Sequence, residues 1–289
     1  MEKIKIMTDS ACDISPEQEK EHDIKIMCFP ITLGDKGFME RIDLTNEQFY
    51  EMIEASEELP KTAQVTVPRF EEAYKEVMDE GYTDLIYVSI ASKGSNTNAS
   101  AHMAMNNFYE EYPEAKDKFR IHIVDSKNYT GVYGYPVIQA AIKVEKGASV
   151  ADILAYYEDW FSCAEVHFGC YTLKYVKRSG RVSCAAAFVG ELMGLRPVIK
   201  IADAVSVTEA KVRGDKAVIP KLAEIAADRI IPQTPYVIIQ GGSKERADEM
   251  AAVLTKQFGY PPEMYIQIGA AVASNVGPNI VGFVIKAHK

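Results

Sequence analysis

The chain has 289 residues, 47% of them hydrophobic, enough for a sizeable core in one domain or two. Its 41 acidic residues exceed the 32 basic ones, for a net charge of -9. That balance argues against a duplex-binding protein, because phosphate contacts need clustered Lys and Arg.

In chain order, "IKIM" (4–7) is a short apolar strand followed by the polar, turn-like "TDSACDIS". "IKIMCFPITL" (24–33) is extended and interrupted by Pro30. "LTNEQFYEMIEAS" (44–56) is a helix whose Thr45 and Gln48 fit a capping box. "PRFEEAYKEVMDEG" (68–81) is another, with Phe70, Ala73, Tyr74, Val77 and Met78 on one face, Pro68 at its start and Gly81 at its stop. "DLIYVSI" (84–90) is a buried strand, followed by "ASKGSNTNAS" and a helix to about Tyr109. "RIHIVDS" (120–126) is a further strand and 135–146 a helix. Strands separated by helices imply a mainly parallel sheet covered on both faces, with ligands at the carboxyl ends of its strands.

From "GASVADILAYYEDWF" (147–161) onward the strands shorten: "HFGCYTL", "PVIKI", "AVSVTEAKV" and "YVIIQGG". Helices are expected near 183–193, 215–230 and 243–257, and the closely spaced strands 198–201 and 204–210 predict a hairpin in a mixed sheet. The boundary falls near 147–162, giving units 1–155 and 156–289. Near the end, "VASNVGPN" (272–279) separates two strand-like runs, and Gly277-Pro278 marks it as a turn.

The five cysteines, Cys12, Cys28, Cys163, Cys170 and Cys184, form no C-x-x-C pair, and their odd number fits reduced thiols. The five histidines lack metal-site spacing. The start "MEKIKIMTDS" has no apolar signal region, and no run reaches ~18 apolar residues. A cytoplasmic protein with no metal, no cofactor and no transmembrane segment is expected.

Asp9 and Ser10 follow a strand and can hold a ligand or neighbouring loops, though an Asx-type turn has the same composition. Thr62, Gln64 and Thr66 precede a helix, where hydroxyls and backbone N–H groups bind anions or simply cap. Ser95 and Thr97 lie at a strand-to-helix turn, with Gly94 allowing close approach. No Walker-type loop or nucleophile elbow is present. Lys174, Lys177, Arg178 and Arg181 precede a small-residue stretch with Ala185, Ala186, Ala187, Gly190 and Gly194. Arg181 and Arg213 are candidate anion contacts, and the small residues leave room for an apolar ligand. Met103, Met105 and Met193 read as core fillers that would also suit an acyl pocket. "QGGSKERADEM" (240–250) is Gly-rich before a helix and can touch a ligand, though a tight turn and helix start explain it as well.

Taken together, "TDSACDIS", "PKTAQVT", "ASKGSNTNASA", "VDSKNYTGVYG", "LKYVKRSGRVS" and "LRPVIKI" followed by "KVRG" resemble, in this order, the motifs of the DegV family of fatty-acid-binding proteins. The resemblance implies a two-domain DegV-like α/β fold: an N-terminal mainly parallel α/β/α sheet and a C-terminal mixed-sheet α/β domain. It implies a long-chain fatty acid between them and an ATP-binding fatty acid kinase subunit as partner, which phosphorylates the bound carboxylate. Carried over by motif, Thr62 and Ser95 are the head-group hydroxyls, and Arg181 lies near the head group or the partner surface. The chain departs from the motifs at Ala63, Val65, Asn96 and Ser179. Asn275 stands in the position of the family's histidine and Asn279 in that of a glycine. Asparagine can hydrogen-bond a carboxylate but cannot move a proton. A second reading is therefore a binding module for a different carboxylate or modified lipid, without phosphoryl transfer. An enzyme acting alone through Ser95 lacks a paired base.

Overall fold

The computed structural model describes residues 2–184 and 194–288. The N-terminal part runs β1 (Ile4–Asp9), α1 (Pro16–Glu21), β2 (Lys25–Met27), β3 (Pro30–Leu33), β4 (Lys36–Met39), α2 (Asn46–Ala55), β5 (Lys61–Thr62) and α3 (Val67–Asp79). It continues with β6 (Asp84–Ser89), α4 (Thr97–Glu111), β7 (Arg120–Asp125), α5 (Gly131–Glu145) and α6 (Val150–Phe161). The remainder runs β8 (Ala164–Cys170), α7 (Val176–Ser179), β9 (Leu195–Ala202), β10 (Val205–Arg213), α8 (Val218–Arg229), β11 (Val237–Gln240), α9 (Lys244–Phe258), β12 (Met264–Gln267), α10 (Ala270–Val276) and β13 (Ile280–Lys286).

Four strands form a wholly parallel sheet in the order β2-β1-β6-β7. Side chains alternate across a strand, so Leu85 and Tyr87 pack under α3 and α4, while Ile86 and Val88 pack under α5 and α6. The capping box of Thr45 and Gln48 starts α2 as expected. A second sheet is mixed, in the order β10-β9-β8-β13-β11-β12. The predicted hairpin is β9–β10. Val281, Phe283 and Ile285 of β13 face α8 and α9, while Ile280 and Val284 face inward. Helix α5 is wedged between the two sheets: Tyr133 and Val137 join the parallel-sheet core, and Val132 and Tyr135 join the mixed-sheet core.

Three features differ from expectation. A small antiparallel sheet, β4-β3-β5, interrupts the N-terminal alternation. The break near the end is a short helix, not a turn alone: α10 occupies 270–276, and only Gly277-Pro278 turns into β13. An apolar run such as "AAVA" does not distinguish strand from buried helix. The strands on either side are also not neighbours, since β11 lies between β12 and β13. The helix expected near 183–193, with Ala185, Ala186, Ala187, Gly190 and Met193, falls almost wholly outside the described residues.

Candidate functional site

Among the described residues, the inner face of the mixed sheet is not fully covered. Between it and the carboxyl ends of the parallel strands lies a cavity of about 520 Å³, within the ~300–1,000 Å³ typical of small-molecule sites. Val166, Phe168, Ile201, Ile239 and Ile280 line it from the mixed sheet, and Ala11, Phe29 and Ile90 from the other side. These walls are aliphatic and aromatic.

A polar group of side chains lines the rest. Thr62 is held on β5 by pairing with Ile31. The next turn is tied to α4, because Gln64 Nε2 donates to Ser100 Oγ at 3.1 Å and the Val65 N–H donates to Thr97 Oγ1 at 3.3 Å. Thr97 Oγ1 lies 2.9 Å from Ser95 Oγ, which also accepts the Thr97 N–H. When Thr97 is the donor of that pair, the Ser95 O–H is left to donate into the cavity. Helix α10 packs on β5 and contributes Asn275. Asn275 spends one amide N–H on the Ala271 carbonyl at 2.9 Å. Its other N–H and its oxygen have no partner among the described residues. Arg181 reaches the cavity from the segment after α7 and is exposed. The structure therefore brings Thr62, Ser95, Asn275 and Arg181 to one cavity.

Other candidates lie elsewhere. Asn279 donates to Glu54 at 2.8 Å and does not line the cavity. Arg213, Met103 and Met105 do not line it either, nor does the 240–250 turn. Gln64 and Thr66 do. Two contributors went unremarked within quoted motifs. Lys93 adds a second cation with no ion pair among the described residues. Tyr129 packs its hydroxyl against Gly94, in the place a Cβ would take. Burial pushes the Tyr129 phenol up, and the Arg181 charge opposes that shift. The close approach that glycine permits at 94 is thus to Tyr129. Among the described lining residues there is no histidine, carboxylate or cysteine. Ser95 accordingly has no base beside it.

The supports of this site are buried carboxylates. Asp9, at the end of β1, accepts from Tyr133 Oη at 2.6 Å, the Ile90 N–H at 2.7 Å and Tyr87 Oη at 3.0 Å. It thereby fixes the start of the loop that carries Ser95. Burial pushes its pKa up to about 6, against those three donors. Asp9 is buried and does not line the cavity; of the roles open to it, the structure shows the holding of a neighbouring loop, through the Ile90 N–H. Asp13 accepts the Gly269 N–H and Glu40 the Ala271 N–H, each at 2.7 Å. Ser10 donates to Glu40 and accepts the Phe29 N–H. Burial raises the pKa of both Asp13 and Glu40. No cluster of His, Cys, Asp and Glu suited to a metal occurs among the described residues.

Fold and cavity together define an α/β protein with an amphipathic cavity between its two larger sheets. The family described as "Uncharacterised protein, DegV family" matches residues 3–288, and the chain belongs to it. A DegV domain-containing protein of Clostridium perfringens is 28% identical over 292 residues, covering 99% of each chain. The structure of a fatty acid binding DegV family protein from Streptococcus agalactiae is similar at 25% identity and a TM-score of 0.84, covering 100% of both chains. That of a stearic-acid-binding protein from Eubacterium ventriosum is similar at 23% identity and a TM-score of 0.87, covering 99% of this chain and 98% of that one.

Proposed function

We propose that this chain binds a long-chain fatty acid in the cavity between its sheets. The observation that carries this reading is the pairing of an aliphatic bore with a single patch of neutral donors and two cations, Lys93 and Arg181. Each buried methylene of an acyl chain contributes about 0.8 kcal/mol. A carboxylate entering with it needs donors, since an unpaired buried charge is very costly. Thr62, Ser95 and Asn275 are those donors, and Arg181 adds attraction from the exposed rim. Relatives of the same fold that bind stearic acid or other fatty acids support the assignment. Residues 1–155 and 156–289 form the two units that hold the ligand. No helix among the described residues is long and apolar enough to cross a membrane, in keeping with a cytoplasmic carrier. The test is mass spectrometry of the purified protein, then uptake of labelled stearate after delipidation.

In this proposal the carrier presents its carboxylate to a separate ATP-binding kinase subunit, which forms the acyl-phosphate. The second reading, binding without phosphoryl transfer, is favoured by one observation: no described lining residue can accept or deliver a proton near neutral pH, and Asn275 already spends an N–H on its own helix. The substitution Asn275→His separates the two. Under the kinase reading, it raises phosphorylation of bound fatty acid by a suitable kinase subunit and leaves binding intact. Unchanged phosphorylation with binding confirmed would assign Asn275 a structural role.

A further inference from the structure

Helix α10 carries Asn275 and the apolar wall residues Ala271, Val272 and Val276, yet it is only seven residues long. So short a helix does not persist by itself. The first N–H groups of any helix lack partners within it. Here two are taken by side chains from the other end of the chain: Asp13, 256 residues away from Gly269, and Glu40, 231 residues away from Ala271. Both carboxylates are buried. They approach so closely that a Cβ at Gly269 would stand 2.6 Å from Glu40 Oε1 and 3.0 Å from Asp13 Oδ1. Glu40 is itself anchored through Ser10 to the backbone of Phe29, another wall residue. Arg41 is the cation beside this cluster, and its guanidinium is directed to the Ile14 carbonyl and Glu19.

We propose that Asp13 and Glu40 are positioning residues that clasp α10 across the two halves of the molecule and so control how fast the cavity releases its ligand. They touch no ligand; they hold the wall that does. This rests on the fatty-acid reading for its rate measurement, but the clasp itself has an independent readout.

The experiment compares Asp13→Ala and Glu40→Ala with Asp13→Asn and Glu40→Gln. The amides keep an acceptor oxygen for the Gly269 and Ala271 N–H groups. The alanine variants are expected to release stearate about tenfold faster, the scale of leaving a buried N–H without its acceptor. The amide variants should restore release to within about twofold of the parent, given that equivalent acceptor. Leu254→Ala, in the core on the far side of the mixed sheet, controls for general destabilisation and should leave release unchanged. Hydrogen exchange of residues 270–276 supplies the second readout: faster in the alanine variants and in Gly269→Ala, unchanged in the amides. Alanine variants with parental release and exchange, or amides that fail as badly as alanines, overturn the clasp. If the parent protein takes up no stearate, the fatty-acid reading fails, and exchange at 270–276 alone decides the clasp.

Discussion

The two larger sheets of this molecule are covered differently. The parallel sheet has helices on both faces, α3 and α4 on one and α5 and α6 on the other, and Leu85, Ile86, Tyr87 and Val88 are all fully buried against them. The mixed sheet has α8 and α9 outside, and among the described residues its inner face meets α5, α10 and the cavity. Val166, Phe168, Ile201, Ile239 and Ile280 therefore line a bore where the equivalent positions of the first sheet make a packed core. Among the described residues, the difference is a cavity on one sheet face where the other sheet has a packed helix layer. Polar residues are needed only where the opening meets the strand ends of the other sheet.

Several substitutions would break or sharpen that contrast. The largest effect is expected for Ile86→Ala, which empties a packed layer and should cost about 4 kcal/mol. Ile201→Ala, beside existing space, should cost about 2 kcal/mol, the low end for such changes, and widen the bore. Urea unfolding measures both, and equal costs would mean the two faces are packed alike.

Next in size is the pH dependence set by Asp9. Burial holds its carboxyl at about 6 in the fold, above the ordinary aspartate value of 3.8. The folded state thus binds the proton better. The associated stability is present in full below pH 3.8 and is lost as pH rises through about 6. Two pK units correspond to about 3 kcal/mol. Asp9→Asn should remove this component, so that the parent-minus-variant stability falls by that amount between acid and neutral pH. A flat difference would show that burial does not raise the Asp9 pKa above that of the unfolded chain.

The mouth comes third. Thr62→Val and Ser95→Ala should each weaken stearate binding about tenfold, about 1.4 kcal/mol, as donors to a charged group. Neither should much affect methyl stearate, which carries no charge. Arg181→Ala should have the smallest effect, below about 1 kcal/mol and fading at high salt, because the side chain is exposed. Titration with fluorescent fatty acid at two ionic strengths checks all three.

Much of the fold was legible because its signals are local. Thr45 and Gln48 start α2 from within four residues, and Phe70 to Met78 show the helical period of α3. Of the head-group candidates, Ser95 stands in a motif that follows a strand, Thr62 in one that precedes a helix, and Asn275 is marked by the order of motifs alone. What escaped depends on distant partners. Helix α10 is an apolar seven-residue segment whose first N–H groups are satisfied by Asp13 and Glu40, and nothing near it in sequence shows that. The β3–β5 pairing joins residues about thirty apart through one two-residue strand, too short for a periodic signal. Lys93 and Tyr129 carry no motif of their own and become site residues only when the second sheet is in place.

The central claim is that the bore holds an acyl chain with its carboxylate at Thr62, Ser95 and Asn275. Native mass spectrometry of the purified protein, before and after delipidation and re-addition of stearate, tests it most directly. The account predicts one long-chain fatty acid per chain, lost on delipidation and regained from stearate. A delipidated, folded protein that takes up no stearate, or one that retains a short polar ligand instead, would contradict it.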